Sequence, residues 1–266
     1  MSTMINRMRR LSITRLLGRL LLPNGSVRRI SLGPMAGLVY RVGAITGWSA
    51  WYSGPERDHQ NIFRRLIKPG NVVVDIGANW GLHSLYLSRL VGKMGRVIAI
   101  ECFPPALAEL RWHLGANRCK NVTVVPTALA DREGHAFFVP GESAYTGRLA
   151  ESSKVAQKNA IEVPVRTLDG LLESLQLPVP TMVKIDVEGS ESRVLEGAER
   201  MTRMCHPLFI IDLHTPDQDV KVAKWLTERG YHLRRLSGPP IYRTDVGWPN
   251  EAGVWGSILG LPPRGH

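Results

Sequence analysis

The sequence predicts a doubly wound α/β domain on a mostly parallel sheet, preceded by a basic N-terminal extension, and three observations predict it. From Gln60 onward, short β-branched runs alternate with longer amphipathic segments, the order that successive βαβ units impose on a chain. The apolar runs carry charged residues at their carboxyl ends, where an open parallel sheet leaves a crevice for ligands. The 266 residues, 44% of them apolar, suffice for one large domain with a short appendage. The expected division is an extension over 1–55 and a domain over 56–266.

Each element follows from its local pattern. Val72-Val-Val-Asp-Ile76, after the turn Lys68-Pro-Gly70, reads as strand one, with a helix from Leu82 to Val91 behind it. Strand two is Arg96 to Ile100, followed by a helix from Pro105 to Gly115 and strand three from Val122 to Val125. The stretch from Asp131 to Ala160 is less regular and reads as a hairpin plus a mobile loop, ahead of Val163 to Val165 and a helix near Leu168 to Leu175. Met182 to Asp186 is strand four, with a helix from Ser190 to Arg200. Leu208 to Leu213 is strand five, followed by a helix from Gln218 to Arg229, a strand from Tyr231 to Leu236 and a last strand within Gly253 to Leu259. In the extension, Leu11 to Leu22 spaces Leu, Ile and Arg as a short amphipathic helix that ends at Pro23. Residues 24–55 read as loops and short strands, in which Trp48, Trp51 and Tyr52 either pack or line an acceptor pocket.

Charge is unevenly placed. Of the net +11, eight come from arginines in the first 55 residues, which contain no acid, and only +3 belongs to the rest. A nearly balanced body argues against nucleic acid as a partner. The 1–22 segment is either a solvated helix or a contact with a membrane surface. Arg15 and Arg19 interrupt the apolar run there, so neither a membrane span nor a signal-peptide core is expected. Cys102, Cys119 and Cys205 are odd in number and lack metal-site or disulfide spacing, which suits a reducing cytoplasm.

The turn after strand one, Asp75-Ile-Gly-Ala-Asn-Trp-Gly81, places Gly77 and Gly81 where backbone must approach a ligand closely. Its GxxxG spacing lacks the middle glycine of the GxGxxG dinucleotide fingerprint, which favours a cofactor without a pyrophosphate. Asp75 is suited to fixing this loop or to meeting the cofactor, and Asn79 lies within it. Glu101 closes strand two, where a carboxylate can accept ribose hydroxyls, although a solvated strand-end charge would look the same. His83, at the start of the first helix, is a cofactor neighbour or a solvated residue.

Strand four runs Met182-Val-Lys-Ile-Asp-Val-Glu-Gly189, with Lys184, Asp186 and Glu188 at period two in what should be a wholly apolar strand. Such charges are costly unless they meet one another, a ligand or a wet cleft, and a structural Lys184–Asp186 pair is the simplest arrangement. Strand five repeats the pattern with Asp212 and His214. A His beside an acid at the mouth of a site is a candidate general base, because its ordinary pKa lies near neutrality.

The combination resembles the FkbM family of S-adenosyl-L-methionine (SAM)-dependent methyltransferases. The residues that carry the resemblance are Asp75-Ile-Gly-Ala-Asn79 with Gly81, Glu101 with Pro104, Asn117, Val165-Arg-Thr-Leu-Asp169, Lys184-Ile-Asp-Val-Glu-Gly189 with Glu191, Val194-Leu-Glu-Gly-Ala198 and Gly230-Tyr231. It covers roughly residues 54–236. Two departures stand out: Ile100-Glu-Cys-Phe-Pro104 replaces the family's Phe-Glu-Pro, and Asp212-Leu-His214 replaces its Glu-x-His. The resemblance implies a seven-stranded class I methyltransferase sheet, SAM as cofactor, and methyl transfer to a hydroxyl of a sugar, glycolipid or other natural-product acceptor. Asp75, Gly77, Asn79, Gly81 and Glu101 are then the cofactor residues, and Lys184, Asp186, Glu188, Asp212 and His214 the catalytic group. His214 would act as base; in a second route the strand-end carboxylates would hold Mg²⁺ to acidify the acceptor. The metal-free route is preferred, since Lys184 can neutralise Asp186 without an ion. The competing readings are an NAD-dependent oxidoreductase, which the missing glycine disfavours, and a membrane-attached binding module, which leaves the charged strand ends unexplained.

Overall fold

The computed structural model describes residues 25–42, 57–141, 147–150, 159–236 and 256–263. The helix expected over Leu11 to Leu22, together with Trp48, Trp51 and Tyr52, lies outside them. The chain runs β1 (Val27–Arg29), β2 (Val39–Arg41), α1 (Arg57–Leu66), β3 (Val72–Ile76), α2 (Leu82–Val91), β4 (Arg96–Ile100), α3 (Pro104–Ala116), β5 (Val122–Val125), β6 (Ala128–Leu129) and β7 (Gly134–Pro140). It continues through β8 (Gly147–Ala150), β9 (Ile161–Arg166), α4 (Leu168–Ser174), β10 (Met182–Ile185), α5 (Glu191–Glu196), α6 (Glu199–Cys205), β11 (Leu208–Asp212), α7 (Pro216–Glu228), β12 (His232–Arg235) and β13 (Ser257–Leu261).

Seven strands form one sheet in the order β12-β13-β11-β10-β3-β4-β5, and β13 alone runs antiparallel to its neighbours. The predicted doubly wound sheet is thus the fold. Its central strands are largely apolar on both faces because both faces are covered. Val73, Val97 and Ile210 pack with Phe63, Leu87 and Leu110 of α1, α2 and α3. On the other face Val74, Ile98 and Phe209 pack with Leu171, Leu195 and Leu226 of α4, α5 and α7. Each such buried side chain contributes about 1.5–3 kcal/mol. Strand order reverses between β3 and β10, so the crevice expected at a switch point opens beyond Ile76 and Ile185.

Two segments differ from their expected form. The single helix over Ser190 to Arg200 is two, α5 and α6, which meet at Gly197. A Cβ on Gly197 would lie 2.1 Å from the Ala130 carbonyl oxygen, so the chain passes close against β6 there. The Asp169 carboxylate then accepts the N–H groups of Arg200 and Met201 at 2.8 Å each and starts α6 afresh. The irregular region contains the predicted hairpin, β7 with β8, but it belongs to a second sheet of order β6-β9-β7-β8 that sits over the crevice.

From the extension, the β1–β2 hairpin packs onto α3. Val39 N–H donates to the Asn117 side chain at 2.8 Å, and Ile30, Met35 and Tyr40 are buried in the core shared with α1 and α2. Among the described residues, no helix is long and apolar enough to cross a membrane.

Candidate active site

At the end of β3 the chain turns through Gly77 with φ of 74°, a left-handed conformation that glycine adopts without strain. A Cβ there would lie 1.8 Å from the Asp186 carbonyl oxygen, so this glycine lets the turns after β3 and β10 touch. Gly81, with φ of 85°, packs against the Leu110 side chain, 2.4 Å from where a Cβ would stand, and seats the start of α2 against α3. Asn79 and Glu188 hold φ of 50° and 55° without being glycine, and both line the crevice. Such unfavourable backbone tends to gather at functional sites.

The crevice has a volume of about 740 Å³ including its open mouth, within the range of small-molecule sites. Gly77, Asn79, Glu101, Asp186 and Glu188 all line it. Its far wall comes from the second sheet, where Phe138 of β7 stacks on Phe103 with ring centroids 5.0 Å apart. Among the described residues, the lining holds three carboxylates and no Lys, Arg or His.

Glu101 is tied at three points. One oxygen accepts from Asn79 N–H, the other from the N–H groups of Cys102 and Phe103, each at 2.8 Å. A carboxylate has about four acceptor positions, so roughly one remains for a ligand hydroxyl. Burial pushes the Glu101 carboxyl up against the opposing pull of these N–H groups. Asp75 lies beneath the crevice, fully buried, and accepts from the Ser84 hydroxyl at 2.6 Å.

The parallel register sets Lys184 of β10 beside Asp75 of β3. Its amino group, 1% exposed, lies 3.1 Å from Asp186, 3.7 Å from Asp75 and 3.9 Å from Asp212. The expected Lys184–Asp186 pair is therefore part of a four-residue cluster. On the next strand Asp212 pairs in register with Ser257 of β13, whose hydroxyl donates to it, and His59 Nε2 of α1 lies 2.8 Å from the same oxygen. Burial opposes ionisation of Asp212, but His59, Lys184 and Ser257 outweigh it and hold the carboxyl well below its usual range.

His214 is ringed by acids. Its Nδ1 donates to the buried Glu191 at 2.7 Å, while Nε2 lies 3.4 Å from Asp186 and 3.5 Å from Glu188. Burial disfavours the cation, yet Glu191, Asp186 and Glu188 together push the imidazole up to about 9. At neutral pH the ring is thus an imidazolium, not the half-neutral group that its ordinary pKa suggests. Glu188 is itself pushed up, by burial first and then by Asp186 and Glu191.

Of the ten residues singled out in the sequence, five line the crevice; Asp75, Lys184, Asp212 and His214 support that wall from behind, and Gly81 shapes it through α2. His83 is buried against His59 and Phe63, with ring centroids 5.4 Å from each. Sequence reasoning missed His59 and Ser257, a lone His on a helix and a Ser in a weakly patterned strand, because neither carries a local signal. Among the described residues, no group of three or more His, Cys, Asp or Glu has the geometry to hold a metal ion.

A switch-point crevice with an acidic wall and a GxxxG turn defines a cofactor site of the class I methyltransferase type. The chemistry of the wall fits SAM, a cationic cofactor, whereas the pyrophosphate of a dinucleotide would face three carboxylates and no cation. The chain belongs to the FkbM methyltransferase family: residues 75–233 match the methyltransferase FkbM domain. It is a SAM-dependent methyltransferase, and the oxidoreductase reading is not supported. It is 26% identical over 221 residues to the hexuronic acid methyltransferase AglP of Haloferax volcanii, covering 81% of this chain and 87% of that one. It is likewise 26% identical to the 2-O-methyltransferase NoeI of Sinorhizobium fredii, over 53% of this chain and 63% of that one. A crystal structure of methyltransferase FkbM from Methylobacillus flagellatus overlays with a TM-score of 0.48 at 21% identity, covering 72% of this chain and 43% of that one.

Proposed function

We propose that this enzyme methylates a hydroxyl of a sugar acceptor, with Glu101 and the Gly77–Gly81 turn holding the cofactor's nucleoside and Asp186, Glu188 and His214 forming the acid–base side. The observation that carries the reading is that Asp186 and Glu188 line the same crevice as Gly77, Asn79 and Glu101, while His214 touches both of those carboxylates from behind. When bound, SAM supplies a methyl group already activated on a sulfonium, so the protein's task is alignment and proton removal. The proton leaving the acceptor oxygen passes to the His214–carboxylate cluster. Lys184 fixes Asp186 from below, and the Asp212–His59–Ser257 group holds the adjoining strand end.

A sugar acceptor is supported by the relatives described as acting on a hexuronic acid and as a 2-O-methyltransferase. The arginine-rich segment over 1–22 is proposed as a contact with anionic membrane surfaces, on the strength of its charge. The test is a labelled-methyl assay over uronic acid and neutral hexose oligosaccharides, with the product mapped by mass spectrometry. Transfer to a ring hydroxyl is expected. Transfer only to a carboxyl, or to no sugar by an enzyme that binds SAM, would overturn the reading.

A further inference from the structure

At the opposite edge of the sheet, where turns lead into the strands, lies a second and broader hollow. The α2–β4 turn contributes Lys93, Met94 and Arg96; the α3–β5 turn contributes Arg118 and Lys120; Arg29 and Arg89 close it from β1 and α2. Among the described residues, its lining thus holds six cations, no carboxylate and no aromatic ring. All six are exposed. Two are braced by backbone: Arg89 donates to the Ala36 carbonyl at 2.8 Å and Arg29 to that of Gly37 at 2.5 Å. Among the described residues, Lys93, Arg96, Arg118 and Lys120 have no carboxylate partner. Met94 stands among them with its side chain bare, 90% exposed.

We propose that this basic groove seats the enzyme on an anionic phospholipid surface, lipid phosphates meeting the six cations and Met94 entering the headgroup layer. Like charges gathered without counter-ions repel one another, and a polyanionic surface relieves that repulsion. Each Lys or Arg held near an anionic bilayer adds to the attraction, and an exposed thioether adds apolar contact. Single-stranded nucleic acid would use stacking aromatics, which the groove lacks. The charge pattern also orients the molecule: the acidic crevice lies at the far edge of the same sheet, so a docked enzyme holds it away from the lipid and open to water.

The test is sedimentation of the full chain with phosphatidylcholine vesicles containing about 30% phosphatidylglycerol. Three variants are compared with wild type: Arg96→Glu/Arg118→Glu/Lys120→Glu in the groove, Lys221→Glu/Lys224→Glu/Arg203→Glu elsewhere as an equal charge change, and Arg9→Gln/Arg10→Gln/Arg15→Gln/Arg19→Gln in the extension. The groove variant is expected to bind vesicles at least tenfold more weakly, the charge control less than about threefold, with SAM binding unchanged in both. Equal losses in groove variant and charge control would reduce the effect to net charge and overturn the proposal. So would loss confined to the extension variant, which would leave the 1–22 reading standing alone. Release of wild type from vesicles by stoichiometric single-stranded RNA would assign the groove to nucleic acid instead.

Discussion

An amino group buried to 1% exposure needs charge around it, and Lys184 has three carboxylates within 4 Å. Lys184→Met should therefore cost about 3–5 kcal/mol, since it strands buried acids; urea unfolding measures it. Gly77→Ala should be nearly as costly, at least about 2 kcal/mol, because the new methyl meets the Asp186 carbonyl and the φ is left-handed. It should also abolish SAM binding, read by calorimetry. His214 gives the clearest titration. Its folded pKa of about 9 exceeds the ordinary value near 6.5, so its contribution to stability is complete below about pH 6.5 and lost as pH rises through 9. The same sign appears in catalysis: if the neutral ring takes the proton, kcat/KM should climb toward pH 9, and His214→Gln should flatten that limb. A wild-type profile flat from pH 6 to 9 would remove the ring from proton transfer. The charges at period two in strands four and five were legible in the sequence because burying a charge demands compensation. Their partners were not, because Asp75 meets Lys184 and Ser257 meets Asp212 only through strand register.

Among the elements, the central strands and the helices α2, α3 and α7 were readable to within a few residues, since those strands are covered on both faces and so largely apolar, whereas α1 went unread and the helix expected over Ser190 to Arg200 is two. The β6-β9-β7-β8 sheet was less so, because its strands alternate weakly and pair across distant segments. That sheet supplies the crevice wall through Phe138, Gly147 and Leu149. Phe138→Ala removes the ring stacked on Phe103 and should weaken SAM binding by about tenfold, as expected for losing one aromatic contact. Stability should change less than on Gly77→Ala, and an unchanged SAM affinity would place the cofactor away from this wall. Gly147, with a Cβ position 2.2 Å from the Phe138 ring, holds β8 against it and should show the same dependence.

Across the whole molecule, the two edges of one sheet carry opposite charge, three carboxylates in one hollow and six cations in the other. The pH response should mirror this division. Asp212, held low by its partners, contributes stability above about pH 4 that disappears as pH falls through its folded value, while the His214 contribution fails on the alkaline side. In thermal unfolding between pH 3 and 10, Asp212→Asn should therefore cost most above about pH 4 and less toward pH 3, and His214→Gln should cost most below about pH 6.5 and little by pH 10. The sheet's connectivity bears on biogenesis as well. β13 lies between β11 and β12 yet leaves the ribosome after both. Until Ser257 to Leu261 arrive, the Phe209 to Asp212 edge is an open, apolar template, ready to accept a strand from a neighbouring nascent chain. Translation speed between β12 and β13 thus becomes a determinant of how much chain is lost to aggregation.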